Sequence, residues 1–192
     1  MHTQSTRLTL REFTLADIPA LYELESIPEV ARYQTWPPRT QADAERAVRD
    51  IIDDAKATPR VVVEQAVSIA PQETQRTTRS SDGTFIGRVG GIIDPAARTL
   101  EVWFSFMPSA RGRGYATEAT EALVGMLREA ARDGDVPPFD RLVIECDPRN
   151  GRSIKLAERM GFVLQSCTEK AFECKGEWVG SMVYSRGLDV AT

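Results

Sequence analysis

The chain has 192 residues, of which 42% are hydrophobic and 27% are charged, and this length fits one domain with a sizeable core. The formal net charge of −4 argues against nucleic-acid and anionic-membrane partners, because those partners attract basic proteins. No apolar run reaches the ~18 residues of a membrane-spanning helix, and the first residues lack a signal-peptide core. We therefore expect a globular, cytoplasmic protein.

Cysteine and histidine are too few to suggest a disulfide framework or a metal site. Cys146, Cys167 and Cys174 form no Cys-x-x-Cys pair, so we expect reduced thiols. The single histidine, His2, stands at a terminus that we expect to be mobile. We therefore expect neither a bound metal nor catalysis by histidine.

The N-terminal part predicts one strand and two helices. Polar and apolar residues alternate over 7–13, which predicts a half-buried strand. A helix begins at 14–17 and breaks at 26–29, and a short helical stretch follows. The Trp-Pro segment at 35–38 cannot continue a helix, so the next helix runs over about 40–57. The inward-facing positions are predicted to be Leu15, Ile18, Leu21, Tyr22 and Leu24 in the first helix and Ala44, Ala47, Val48, Ile51 and Ile52 in the second.

Three further strands are predicted in the middle of the chain, over 61–70, 84–93 and 100–107. The polar stretch 71–83 contains no large apolar residue and predicts a surface loop, which either caps a site or simply connects a hairpin. The glycines in 84–93 indicate a bulge or a close backbone contact.

A strand, an arginine-glycine loop and a helix follow one another over 100–133. Residues 111–114 (Arg-Gly-Arg-Gly) combine fixed positive charge with a backbone that a ligand can approach closely. The helix from Tyr115 has one apolar stripe, and Asp133-Gly134 ends it. Because the N–H groups at a helix start bind anions, this loop predicts an anion site.

The loop lacks the patterns of two common phosphate-binding loops, and this narrows the kind of anion that it is expected to bind. Thr117 stands where a dinucleotide fingerprint needs its third glycine, and the Gly-Lys-Ser/Thr ending of a Walker loop does not occur. The pattern that remains is Arg111-x-x-Gly114-x-Ala116. The alternative is an arginine-rich loop that merely reverses the chain.

The C-terminal third begins with a strand at 139–146, which follows the long helix and should therefore lie parallel to 100–107. A short amphipathic helix follows Asn150 and ends at Gly161. Strands at 163–168 and 177–185 predict a closing antiparallel pair, with its turn at 173–177.

Two of these motifs resemble those of the GCN5-related N-acetyltransferases (GNAT). The Arg111-x-x-Gly114-x-Ala116 loop is similar to the family's pyrophosphate-binding motif. Asn150-x-x-Ser153, followed by a helix and a Gly-Phe pair, is similar to its second motif.

The opening of the chain resembles one branch of that family, the RimJ and RimL ribosomal-protein N-terminal acetyltransferases. Residues 6–11, Asp17, the Ile-Pro-Glu-Val turn at 27–30 and the Trp-Pro segment match its habitual pattern. The resemblance covers roughly residues 7–186 and implies a single N-acetyltransferase domain over 1–192. Homodimers are common in this branch, so a homodimer is a possible assembly.

The resemblance implies an α/β (α+β mixed-sheet) fold. We expect about seven strands, mostly antiparallel, with a parallel central pair that splays apart at Pro108 and helices on both faces. Acetyl-CoA would be the acyl donor and would lie in that gap. The residues expected to bind it are Phe106, Met107, Arg111, Gly112, Arg113, Gly114, Tyr115, Ala116, Thr117, Asn150 and Ser153. The alternative for Asn150 and Ser153 is that both only cap the helix.

The implied reaction is direct attack by a neutral amine on the thioester. A glutamate would take the amine's proton, and the candidates are Glu101, then Glu173, then Glu145. Each of them is otherwise a solvated or salt-bridged carboxylate. Ser153 is expected to protonate the departing thiolate.

The acceptor site is less defined. Tyr33, Trp36, Trp103 and Glu145 are expected to line it, although Tyr33 and Trp36 alternatively pack on the sheet edge. Trp103 replaces the small residue usual in the branch, so the acceptor is either a small-molecule amine or a protein N-terminus. Two rival functions are a CoA-binding regulatory module without turnover and an unrelated nucleotide-binding enzyme.

Overall fold

The computed structural model describes residues 1–70 and 83–188, and one mixed sheet forms its centre. The eight strands are β1 (His2–Gln4), β2 (Leu8–Arg11), β3 (Val62–Ile69), β4 (Phe85–Asp94), β5 (Thr99–Phe106), β6 (Arg141–Cys146), β7 (Val163–Cys174) and β8 (Glu177–Gly187). They lie in the order β1-β2-β3-β4-β5-β6-β8-β7. Only the β5–β6 pair in this described sheet is parallel. The mixed, mostly antiparallel sheet with a parallel central pair is thus confirmed.

The strand that exceeds the expected seven is β1, at the terminus. It pairs with β2, from His2 opposite Arg11 to Gln4 opposite Thr9. The expectation that His2 lies in a mobile terminus is therefore wrong. A strand of three residues is too short to give a detectable alternation of polar and apolar residues, which is why the sequence did not reveal it.

Helices cover both faces of the sheet, as expected. They are α1 (Ile18–Glu25), α2 (Pro28–Ala31), α3 (Gln41–Asp54), α4 (Tyr115–Asp133) and α5 (Gly151–Arg159). The larger core packs α4 and α5 on one face through residues such as Leu100, Leu123 and Leu156. The smaller core packs α1 and α3 on the other face, around Phe13 and Ala66.

Two local predictions require correction. Leu15 and Tyr22 were expected to face inward, but their side chains are 51% and 38% exposed. The first of them lies in a short 3-10 turn before α1, where the helical spacing does not apply. The turn expected at 173–177 consists only of Lys175 and Gly176, with φ of 50° and 80°, so Glu173 belongs to β7.

The predicted polar loop over 71–83 lies outside the described residues except for Gly83.

Candidate active site

A cleft opens where the two parallel strands separate. Their ladder covers only Thr99–Glu101 on β5 and Arg141–Val143 on β6, so the strands separate after Glu101 and not at Pro108 as expected. The Met107 N–H donates to Ile86 O on β4 (2.9 Å), so strand alternation turns the N–H groups of Phe104 and Phe106 toward β6. Both phenylalanines line the cleft, which has a volume of about 700 Å³.

The arginine-glycine loop forms one wall of this cleft. Gly112 and Gly114 have φ of 75° and 79°, which disfavours side-chain-bearing residues, and α4 begins directly after them. Arg7 holds the loop from below, because it donates to Arg113 O (3.0 Å) and pairs with Glu118 on α4 (2.6 Å). The first N–H groups of α4 are therefore presented to the cleft by a fixed backbone.

The start of α5 forms the opposite wall. Asn150 is the helix cap, and its Oδ1 accepts a hydrogen bond from the Ser153 N–H at 3.3 Å. Both residues also line the cleft. The capping role is therefore present in the structure, and it leaves the Ser153 hydroxyl available to a ligand.

Basic side chains from the loop, from α5 and from neighbouring segments line the cleft. The residues concerned are Arg32, Arg111, Arg149, Arg152, Lys155 and Arg159. Arg149 is neutralised by Asp147 (2.6 Å) and Glu177 (3.0 Å). Lys155 and Arg159 form no ion pair with residues 1–70 or 83–188. The walls of the cleft thus carry positive charge although the whole chain is acidic.

Two carboxylates lie on the sheet face that carries α1 and α3. Glu101 occupies the last rung of the parallel ladder, and burial raises its pKa, as does the charge of Glu145. Glu145 accepts a hydrogen bond from Ser181 Oγ (2.5 Å). Cys146 stands next to it, and burial with the nearby carboxylates raises its pKa to about 11, so it is a thiol at neutral pH.

The aromatic residues of the expected acceptor site have different surroundings. Trp103 covers Gly90, where an added Cβ would lie 2.7 Å from the indole Nε1. The guanidinium groups of Arg39 and Arg88 lie over the Trp36 ring, 4.8 and 5.3 Å from its centre. Tyr33 lines the cleft.

The structure brings together most, but not all, of the residues expected at the site. Those that line the cleft are Tyr33, Phe106, Arg111, Gly112, Gly114, Tyr115, Ala116, Thr117, Asn150 and Ser153. Those outside its lining are Trp36, Glu101, Trp103, Met107, Arg113, Glu145 and Glu173. Glu173 pairs with Trp178 on the outer hairpin, and its side chain is exposed.

Sequence reasoning missed the charged residues that complete the walls, chiefly Glu29, Arg152, Lys155 and Arg159. The three basic residues stand at spacings of three and four on α5, which would have predicted one basic helix face. Glu29 carried no such signal, because it comes from a distant segment.

Within residues 1–70 and 83–188, His, Cys, Asp and Glu side chains do not gather in any group of three that would hold a metal. None of the helices described there has the length and apolarity to cross a membrane.

Most of the chain matches the model of one protein family. The model of the acetyltransferase (GNAT) domain matches residues 7–163. The N-acetyltransferase YnaD of Bacillus subtilis (strain 168), itself uncharacterised, is 25% identical over 186 residues, which is 96% of each chain. The ribosomal-protein-serine acetyltransferase of Escherichia coli (strain K12) is 29% identical over 97 residues, which is 50% of this chain and 51% of that protein.

A solved structure agrees at the level of the fold. RimL, a ribosomal L7/L12 alpha-N-protein acetyltransferase solved in complex with coenzyme A, superposes with a TM-score of 0.77 at 22% identity. The match covers 98% of this chain and 99% of that one.

Proposed function

Because the chain belongs to the acetyltransferase (GNAT) domain family, we propose that it transfers an acetyl group from acetyl-CoA to a primary amine. The donor's diphosphate binds against residues 111–117, and its pantetheine arm lies between β5 and β6. Asn150 and Ser153 contact the end of that arm. The enzyme works in the cytoplasm and needs no metal.

The observation that carries this proposal is the shape of the cleft. A parallel ladder that ends at Glu101 and Val143 leaves an extended slot between two strands. The N-terminus of α4, with two glycines at positive φ, closes one end of the slot. A ligand that fits both parts is an extended chain with a phosphate group at one end, as acetyl-CoA is.

The donor-binding set keeps the residues expected from the sequence. Phe106 offers its N–H to the pantetheine, and Arg111, Gly112, Gly114, Tyr115, Ala116 and Thr117 surround the diphosphate. Arg113 acts from just outside the lining through its charge, whereas the Met107 N–H donates to Ile86 O and the Met107 carbonyl accepts from the Ala110 N–H, so the backbone of Met107 is not free for the donor. RimL was solved in complex with coenzyme A.

The reaction proceeds by direct attack. The neutral amine nitrogen forms a bond to the thioester carbonyl carbon, and the carbon–sulfur bond breaks as the tetrahedral intermediate collapses. The amine's proton passes to a carboxylate, directly or through water, and the leaving thiolate takes a proton from Ser153. The Ser153 oxygen then regains a proton from the carboxylic acid through solvent, which returns both groups to their starting states. N–H groups of the separated strand stabilise the oxyanion, a contribution of about 3 kcal/mol for each donor.

Glu101 is the first candidate for the base. Its raised pKa makes it a better proton acceptor than an ordinary surface carboxylate, and it stands where the cleft begins. Glu145 is close enough to Glu101 to raise its pKa. We assign Glu145 to binding the positively charged acceptor and not to the role of base. Glu173 remains the second candidate for the base, although it is exposed on the outer hairpin.

The acceptor that we propose is a protein or peptide N-terminus, with a small-molecule amine as the alternative. The Escherichia coli relative is a ribosomal-protein-serine acetyltransferase, and RimL is a ribosomal L7/L12 alpha-N-protein acetyltransferase. Tyr33, Trp36 and Trp103 would bound the acceptor channel on its apolar side. The contacts of Trp36 with Arg39 and Arg88 suit a wall that supports the channel.

Calorimetric titration with acetyl-CoA, next to ATP, tests the donor site. We expect micromolar binding of acetyl-CoA only, and its loss in Arg111→Glu. Arg141→Glu is the matched control, because Arg141 is an exposed arginine at the other end of β6. Thiol release with a panel of N-terminal peptides, amino acids and polyamines then identifies the acceptor.

The outcomes separate the candidate functions. Release of the CoA thiol with any amine supports the enzyme and excludes a module that only binds CoA. Binding without turnover on every amine class favours that module. Binding of ATP but not of acetyl-CoA would overturn both.

A further inference from the structure

Glu29 joins the two walls of the cleft through one carboxylate. Its Oε1 lies 2.6 Å from Nη1 of Arg111, in the loop before α4, and 2.6 Å from Nη1 of Arg152, on α5. We call these three residues the Glu29 bridge. All three line the cleft that we propose for the donor.

The segment that carries Glu29 is held in place, and the charged groups of the bridge are open to solvent. Lys175, at the turn of the outer hairpin, donates to Ala31 O (2.9 Å) and Arg32 O (3.0 Å) and so holds the end of α2. The Glu29 side chain is 49% exposed and that of Arg152 is 71% exposed. A dissolved anion can therefore reach the arginines.

The charge state of Glu29 is also defined. The hydrogen bond from Arg152 and then the charge of Arg111 hold the pKa of Glu29 below its usual value. The carboxylate is therefore ionised at neutral pH. Each arginine donates one N–H to the same carboxylate oxygen. A phosphate oxygen can take the place of that oxygen, because guanidinium N–H groups donate to carboxylate and phosphate alike.

We propose that Glu29 is an internal competitor for a phosphate group of acetyl-CoA, and that its displacement sets the affinity for the donor. This inference rests on the proposed function. Arg111 and Arg152 neutralise Glu29 in the free protein and the donor phosphate in the complex. Both anions cannot stay there at once without like-charge repulsion, so the donor must break two ion pairs before it gains its own.

The same competition acts on the product. Free CoA carries the same phosphates as acetyl-CoA, and Glu29 recaptures the arginines when CoA leaves. The bridge thus weakens donor and product binding by one common factor.

The test compares wild type with Glu29→Gln in calorimetric titrations with CoA, dephospho-CoA and pantetheine. We expect the Kd for CoA to fall about 3- to 10-fold, because the isosteric amide leaves both arginines free for the phosphate. Pantetheine has no phosphate, so its Kd should not change. Glu45→Gln is the matched control, since Glu45 forms an equally exposed arginine pair on α3, away from the cleft.

Dephospho-CoA distinguishes the two phosphate sources. A gain that persists with dephospho-CoA assigns the competition to the diphosphate, and a gain that disappears assigns it to the 3′-phosphate. Glu29→Asp keeps the charge and should stay nearer to wild type than Glu29→Gln does.

An unchanged or weaker affinity of Glu29→Gln for CoA would overturn the proposal, and so would an equal gain for pantetheine. These results differ from a failure of the proposed function, in which wild type itself would not bind CoA. Thermal melting of each variant confirms that it is folded.

Discussion

Glu101 stands opposite Val143 on the last rung of the parallel ladder, at the point where the strands separate. Its carboxylate is partly buried and has the charge of Glu145 nearby, and both raise its pKa. These conditions make a carboxylate a stronger proton acceptor.

Replacing Glu101 by Gln removes the proposed proton acceptor without changing the side-chain shape. We expect kcat to fall about 10²- to 10⁴-fold while the Kd for acetyl-CoA stays unchanged. Steady-state kinetics and calorimetry on the same preparations measure the two quantities. Glu173→Gln serves as the comparison, and a larger loss in that variant than in Glu101→Gln would transfer the role to Glu173.

The acid limb of the pH–rate profile should depend on Glu145. The proposed base acts only when it is deprotonated, so activity rises as pH passes upward through the raised pKa of Glu101. Glu145→Gln removes the second cause of that shift and should therefore move the limb to lower pH. Profiles of kcat/KM for both proteins check this, with Glu177→Gln as a control for a more remote carboxylate. If the limb did not move, Glu145 would not contribute to the pKa that the profile reports.

At the scale of elements, the helices α3 and α4 were predictable because the sequence signals that begin and end them are local. Thr40 and Asp43 form a capping box at the start of α3, and the glycines on either side of α4 have positive φ. By contrast, the Glu29 bridge joins positions more than 80 residues apart in the chain, and no spacing rule connects them. The exposure of Leu15 was also missed, since a 3-10 turn replaces the expected first helical turn.

A buried ion-pair group connects three elements on the α1 face of the sheet. Arg88 on β4 lies between Glu25 on α1 (2.6 Å) and Glu64 on β3. Glu25 is completely buried, and burial raises its pKa although Arg88 and Arg39 oppose that change. Arg88 also contacts the ring of Trp36, so this group stabilises the proposed acceptor wall.

Arg88→Met should therefore destabilise the protein strongly. It leaves two buried carboxylates without their shared partner, and we expect a loss of about 3–5 kcal/mol in the free energy of unfolding. Urea denaturation measures it. Arg98→Met is the control, because Arg98 forms a half-exposed pair with Asp140 and should cost no more than about 1 kcal/mol. Equal losses in the two variants would mean that the buried group does not stabilise the fold.

At the scale of the whole molecule, net charge and local charge point in opposite directions. The net charge of −4 argues against polyanionic partners such as nucleic acid, yet basic side chains from α5 and the loop before α4 line one cleft. The total charge is known from the sequence alone. Its distribution is not, because it depends on how α4 and α5 pack beside the separated strands.

Donor binding should therefore depend on salt through the cleft rather than through the net charge. Lys155 and Arg159 line the cleft and form no ion pair within the described residues, so they are the cations most available to a phosphate. We expect Lys155→Gln with Arg159→Gln to weaken CoA binding about 5- to 30-fold and to reduce its dependence on salt.

Calorimetric titrations at low and high salt measure both effects. Lys56→Gln with Arg49→Gln changes the net charge equally but acts at and beyond α3, where both residues already pair with carboxylates. If that control weakened CoA binding as much as the cleft variant, the net charge would govern donor affinity. An unchanged affinity in the control, together with a loss in the cleft variant, means that the fold concentrates positive charge at the donor site within an acidic chain.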